Sequence, residues 1–200
     1  MKRLVIIAIL AAFCMGAQAQ EKLYTVKSGV VTMEMNMMGQ NIVQKIYFDD
    51  YGVKKATVSN FNGQDSRQIV VDGETIMIND AEKTAMKMPM MGMQETVNFS
   101  NLDEKTMKKY KVQELGKETV AGKECTKYQV TVMMMGQPQK QTVWVYKGVT
   151  LKSSSKSDFG DMTQTATKFE ENVEVPASMF VLPAGVKVEE MNMGMMGGGW

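Results

Sequence analysis

The sequence predicts a mainly β (α+β) fold, a curved antiparallel sheet forming a half-barrel covered by one or two helices. Three observations predict it. A strand–turn–strand unit occurs twice, turn residues recur at short intervals along most of the chain, and helical character is confined to one segment.

The repeated unit is Val31-Thr32-Met33-Glu34-Met35-Asn36-Met37-Met38-Gly39-Gln40, continued by residues 42–48. It is echoed by Val130-Thr131-Val132-Met133-Met134-Met135-Gly136-Gln137 and residues 142–146. Superposing the two Met-Met-Gly-Gln runs preserves strand parity. Val31, Met33, Met35 and Met37 fall on Tyr128, Val130, Val132 and Met134, while Ile46 and Phe48 fall on Val143 and Val145. Successive side chains of a strand point to opposite faces, so each copy carries one purely apolar or thioether face. The two copies read as equivalent hairpins of one sheet.

The remaining elements follow in order. Residues 24–38 and 40–49 form the first pair, closed off by the Asp49-Asp50-Tyr51-Gly52 turn. Residues 53–61 make a third strand ending at Asn62-Gly63, a strong hairpin signal. Residues 67–71 and 75–79 flank Asp72-Gly73, and residues 84–90 follow the polar turn at 80–83. Alternation then stops. Residues 100–110 form the helix, with Ser100 or Asn101 as N-cap and Asp103-Glu104 in the first turn. Val97, Phe99, Leu102, Met107 and Tyr110 are expected to pack it onto the sheet. Residues 112–115, 125–135, 141–146, 149–156 and 162–171 resume extended structure, giving about nine to eleven strands. Residues 175–182, bounded by Pro176 and Pro183, form a closing segment over an edge or end of the sheet.

The ends stand apart from this pattern. Met1-Lys2-Arg3, an apolar run to Phe13 and Ala17-Gln18-Ala19 make residues 1–19 a cleavable signal peptide, too short to span a bilayer. Phe13 before Cys14 argues against lipobox processing, and no later stretch is long and apolar enough for a transmembrane segment. The expected domain is 20–190, exported to the periplasm. Residues 191–200 read as a flexible Met/Gly-rich tail.

Loss of Lys2 and Arg3 from 23 basic residues leaves 21 against 22 acidic ones, no basis for nucleic-acid binding. The chain has no histidine, which removes histidine-based triads, general bases and metal ligands. Asp49-Asp50 and Glu170-Glu171 are neighbours on extended chain and point to opposite faces, so neither is a catalytic dyad. Cys125, alone after cleavage, reads as a small buried hydrophobe; Lys123 and Lys127 on its side of the strand offer the rival reading of a reactive thiol. No catalytic residue is assigned, and the protein is read as not an enzyme.

The succession Gly122-Lys123-Glu124-Cys125-Thr126-Lys127-Tyr128, Thr142-Val143-Trp144-Val145, Gly148-Val149-Thr150-Leu151-Lys152 and Pro176-Ala177-Ser178-Met179-Phe180-Val181-Leu182-Pro183-Ala184-Gly185 resembles a family of uncharacterised exported bacterial proteins. That family is similar to the outer-membrane lipoprotein carriers, the LolA-like superfamily. The resemblance implies a curved half-barrel, closed by helices, around a cavity for acyl chains. The chain differs from the carriers in its single clear helix and its methionine-rich face.

Twenty-two methionines is about four times ordinary usage. Thioethers are polarizable and unbranched, so a methionine face adapts to ligands of varied shape. Met33, Met35 and Met37 share one parity, as do Met86, Met88 and Met90. If the two faces coincide they line a concave surface for a lipid, acyl chain or other hydrophobic ligand. An alternative is soft-metal binding of Cu(I) or Ag(I) at Met-x-Met spacings outside regular strands, namely Met91, Met93, Met191, Met193, Met195 and Met196. A third is a purely structural or partner-binding role with an envelope protein, methionine simply filling irregular core space.

Overall fold

Two-residue turns set the architecture. The computed structural model describes residues 21–37, 40–61, 64–71, 74–88, 97–134, 136–157 and 160–190. Its strands are β1 (Gly29–Met37), β2 (Gln40–Asp49), β3 (Lys54–Phe61), β4 (Gln64–Val71), β5 (Glu74–Asn79) and β6 (Thr84–Met88). After helix α1 (Glu104–Lys109) come β7 (Gln113–Val120), β8 (Lys123–Met134), β9 (Gln137–Tyr146), β10 (Val149–Ser157), β11 (Gly160–Glu171) and β12 (Lys187–Glu190). The pairs Met37–Gln40, Phe61–Gln64, Val71–Glu74, Val120–Lys123, Met134–Gln137, Tyr146–Val149 and Ser157–Gly160 each close a hairpin across two residues. Ala121-Gly122 and Lys147-Gly148 both have positive φ at both positions, the geometry that matches strand twist.

All twelve strands belong to one sheet in the order β12-β6-β5-β4-β3-β2-β1-β11-β10-β9-β8-β7. The duplicated units are the hairpins β1–β2 and β8–β9, and their parity is as expected: Val31, Met33 and Met35 are buried on β1, Val130 and Val132 on β8. Eleven strands match the sequence reading. The twelfth, β12, pairs in parallel with β6 at the sheet edge and is too short and charged to announce itself.

Three expectations are corrected. The first strand begins at Gly29, because Leu23 and Tyr24 donate instead to Tyr51 O, at 3.0 and 2.9 Å, and Thr25 donates to Lys147 O at 3.0 Å. The helix is six residues long and is capped by Asp103, whose Oδ1 accepts from Thr106 N at 2.7 Å. Ser100, one of the two expected caps, is committed elsewhere: its Oγ donates to Leu23 O and its backbone N–H to Asn98 Oδ1. Met107 is exposed, so packing falls to Val97, Phe99, Leu102, Tyr110 and Val112, which meet Val130, Val132 and Tyr128. The sheet is therefore covered by short segments, with helical cover reduced to one and a half turns.

The closing segment behaves as expected. A short 3-10 turn, Ala177–Phe180, buries Phe180 against Ala56, Ile69, Ile76, Ile78 and Ala85. Arg67 fastens it, donating to Asp80 and to the carbonyls of Ser178, Met179 and Val181. At the other end β11 runs beside β1 to Glu171, while its pairing with β10 stops at Thr165. Leu151, Phe169, Trp144, Cys125 and Val120 fill that region together with Val31, Met33 and Phe48.

Candidate ligand-binding cavity

A cavity of about 300 Å³ lies against the sheet, with walls from β3, β2, β1, β11, β10, β9 and β8. Six intervals between seven flat strands would span about 29 Å, at about 4.8 Å each. Side chains from β3 and β8 meet in one cavity only because the sheet curls strongly. The volume falls at the lower end of ordinary ligand pockets, about 300–1,000 Å³.

The roof comes from two segments outside the sheet. Leu23 and Tyr24 enter from the N-terminal side, Val97 and Phe99 from the connector before α1. Ser100 Oγ donates to Leu23 O at 2.7 Å, and Asn98 Nδ2 donates to Glu21 Oε1 and Lys22 O at 2.9 and 3.2 Å, stitching them together. Tyr24 meets Phe48 edge-on at 4.8 Å, and Phe99 stacks on Tyr128 at 5.4 Å. Gly148 lets this roof close. Its φ is +85°, and a Cβ there would strike Ser100 Oγ and stand 2.6 Å from Leu23 O.

The floor mixes apolar and polar side chains. Val31, Ile46, Phe48, Val130, Val132 and Val143 supply the apolar part; Lys55, Thr57, Gln141, Ser153 and Gln164 supply the polar part. Burial pushes the Lys55 amine below its ordinary pKa and the Tyr24 phenol up to about 12. A smaller neighbouring cavity of about 70 Å³ shares Val132, Gln141, Ser153 and Gln164 and adds Met134 and Met162.

The two methionine strands do share a face. Strand pairing leads from Met33 and Val31 through Ile46, Thr57 and Gln68 to Met77 and Met86. The environments differ, however. Met33 is 3% and Met35 6% exposed, both packed within the sheet's interior, whereas Met86 is 40% exposed five strands away. Met35 Sδ accepts from Gln164 Nε2 at 3.2 Å, which couples it to the cavity wall. Met37 and Met88 lie in β1 and β6, but their side chains are outside those described. Met90, Met91, Met93, Met191, Met193, Met195 and Met196 lie outside the described residues.

Other candidate groups are occupied structurally. Cys125 is fully buried and its thiol is pushed up by burial. Lys127 instead stands 4.8 Å from the Trp144 ring centre, and Lys123 pairs with Glu171 at 2.6 Å. Glu171 also accepts from Lys147 at 2.9 Å, and these two ammonium groups hold its carboxyl down at about 2. Glu170 pairs with Lys168.

The family described as a domain of unknown function, DUF4412, matches residues 28–179. The chain belongs to that family. The match begins just before β1 and takes in every strand of the cavity floor. No curated protein matches the sequence. A chain of the complex structure of Pseudomonas aeruginosa MucA/MucB superposes with a TM-score of 0.51 at 16% identity, covering 79% of this chain and 56% of its own. This chain thus spans little more than half the length of that one. An uncharacterized conserved protein from Thermus thermophilus superposes with a TM-score of 0.54 at 8% identity, covering 83% and 91%. At such identities the likeness is one of fold alone.

The polar floor was the part that sequence reasoning missed. Lys55 and Thr57 share a parity with each other and, through pairing, with Phe48 and Ile46. The alternating pattern held that information, but a lysine in a strand is ordinarily solvated.

Proposed function

We propose that the protein is a non-catalytic, exported, periplasmic binding protein for a hydrophobic ligand, a lipid or acyl chain held on the concave face of the sheet. The observation that carries this reading is the roofed cavity of about 300 Å³, whose walls come from seven adjacent strands. Apolar side chains there gain from removing hydrocarbon from water, at about 25 cal/mol per Å². The basic, apolar and small-residue succession in residues 1–19 supports export. The methionine face, Met33, Met35, Met37, Met86, Met88 and Met90, is proposed as the continuation of the binding surface. Exposed Val70, Met77 and Met86 lie on β4–β6 and support this extension.

Native mass spectrometry of gently purified protein tests the proposal. Adducts of lipid mass are expected, and Ser153→Phe, which fills the floor shared by both cavities, is expected to lose them. Protein that stays bare after incubation with acyl lipids would overturn it. The MucA/MucB complex supports a related occupant, a segment of an envelope protein, which the same spectra would report as a peptide mass.

Soft-metal capture is a second reading, favoured by one observation: Met134 and Met162 both wall the 70 Å³ cavity. Thioether sulfurs select Cu(I) over harder ions. Titration against a chromophoric Cu(I) chelator tests it. Loss of one equivalent in Met134→Leu with Met162→Leu is expected on this reading, and unchanged stoichiometry would rule that site out.

A further inference from the structure

We infer that the cavity is built for an anionic amphiphile, a single acyl chain ending in a carboxylate, with Lys55 as its counter-charge. The inference rests on the hydrophobic-ligand reading above and names the class of ligand.

Lys55 faces inward by register. It pairs with Phe48, and Thr57 pairs with Ile46; all four line the cavity, while Ala56 between them is buried on the opposite side of β3 under Phe180. Among the described residues no aspartate or glutamate lines the cavity, and Lys55 is its one charged lining residue. Among the same residues Lys55 makes no hydrogen bond or ion pair, unlike Lys117, Lys123, Lys147 and Lys152, each of which holds a glutamate. Every described side-chain nitrogen or oxygen that is sealed from solvent has a partner, so the Lys55 ammonium keeps accessible surface.

A half-buried cation without a counter-ion is only partly solvated, and that partial desolvation lowers its pKa. An arriving carboxylate offsets that desolvation and forms a charge-assisted hydrogen bond. Tyr24, whose phenol stays protonated at neutral pH with its pKa at about 12, lines the same cavity from the roof and offers a second donor. One cation balances one negative charge. A phosphate monoester would bring about two charges at neutral pH to a wall with no second cation among the described residues, so the carboxylate fits better. The volume suits a single chain, which the apolar floor of Val31, Val130 and Val143 would cover.

The test is displacement of Nile red from the purified full chain by laurate, methyl laurate and dodecyl phosphate. Laurate is expected to displace the dye at about tenfold lower concentration than its neutral ester, the increment of a charge-assisted hydrogen bond. Lys55→Met should remove that preference, and Lys55→Arg should restore it. Equal affinities for laurate and its ester in the wild type would overturn the pairing but leave the hydrophobic-ligand reading standing. Laurate binding undiminished in Lys55→Met, or tighter binding of dodecyl phosphate, would also overturn it. If no ligand displaces the dye, both readings fall. The wild-type comparison decides the matter alone if Lys55→Met does not fold.

Discussion

Arg67 grips Asp80 with two parallel hydrogen bonds, Nε to Oδ2 at 3.1 Å and a terminal nitrogen to Oδ1 at 2.9 Å. Its other terminal nitrogen faces the carbonyl oxygens of Ser178, Met179 and Val181 at 2.9, 3.0 and 3.2 Å. The arginine is 8% exposed, while the aspartate side chain is half exposed. The cation is thus the member whose removal strands buried acceptors. Arg67→Ala is expected to cost about 2–4 kcal/mol, and Asp80→Ala about 1 kcal/mol, because a half-exposed carboxylate is replaced by water. Arg67→Lys should recover little, since an ammonium lacks the planar fork. Denaturant unfolding gives the magnitudes. Hydrogen exchange should show residues 177–190 opening first in Arg67→Ala, and uniform protection there would remove the clasp from the account.

The roof makes a separate prediction at Gly148. Its positive φ is strained for any residue with a Cβ, and that atom would press on Leu23 O and Ser100 Oγ. Gly148→Ala is expected to destabilise the protein by about 1–3 kcal/mol. The damage should be local, with faster exchange in residues 21–25 and 97–101 and faster release of bound ligand. Unaltered exchange there would show that the roof does not depend on this close approach.

Much of the sheet was legible because its turns announce themselves. Asn62-Gly63, Asp72-Gly73 and Ala121-Gly122 each sit between strands whose end residues pair directly across them. The repeated Met-Met-Gly-Gln units correctly marked two equivalent hairpins, and parity correctly put Val31, Met33 and Met35 inside. The helix was overextended because Ser100 looks like a capping residue, whereas in the fold it and Asn98 tie the connector to residues 21–23. Lys55 and Arg67 were illegible for a different reason. A lysine or arginine in a strand is ordinarily solvated; here the curl of the sheet turns Lys55 into the cavity, and the return of residues 177–181 buries Arg67. Methionine clustering is compositional, so it did not distinguish buried Met33 from exposed Met86.

Glu171 predicts an acid-sensitive joint between strand ends. Lys123 and Lys147 lower its pKa from 4.5 to about 2 in the folded protein. A depressed carboxylate stabilises the fold above its unfolded pKa, and that contribution disappears as pH falls from 4.5 towards 2. Glu171→Gln should therefore be less stable than wild type near neutral pH, and the gap should close in acid. Denaturant midpoints measured across that range give the comparison. A gap independent of pH would mean the side chain acts through packing.

Cys125 offers the sharpest contrast between a reactive and a structural thiol. It is fully buried on β8, opposite Glu118 of β7, and its thiol donates weakly to Lys123 O at 3.5 Å. The two lysines that would activate a thiolate are engaged with Glu171 and with the Trp144 ring. Burial raises the thiol pKa, so the thiolate population at neutral pH is lower than for a free cysteine. A thiol-reactive disulfide reagent should label the native protein far more slowly than the denatured chain, at a rate that follows unfolding. Cys125→Ala should cost about 1 kcal/mol as a small cavity, and Cys125→Ser more, because its hydroxyl would be buried in an apolar cluster with Val120 and Leu151. Rapid stoichiometric labelling of folded protein would restore the reactive reading. Slow labelling together with that order of stabilities would leave Cys125 as a packing residue of the core.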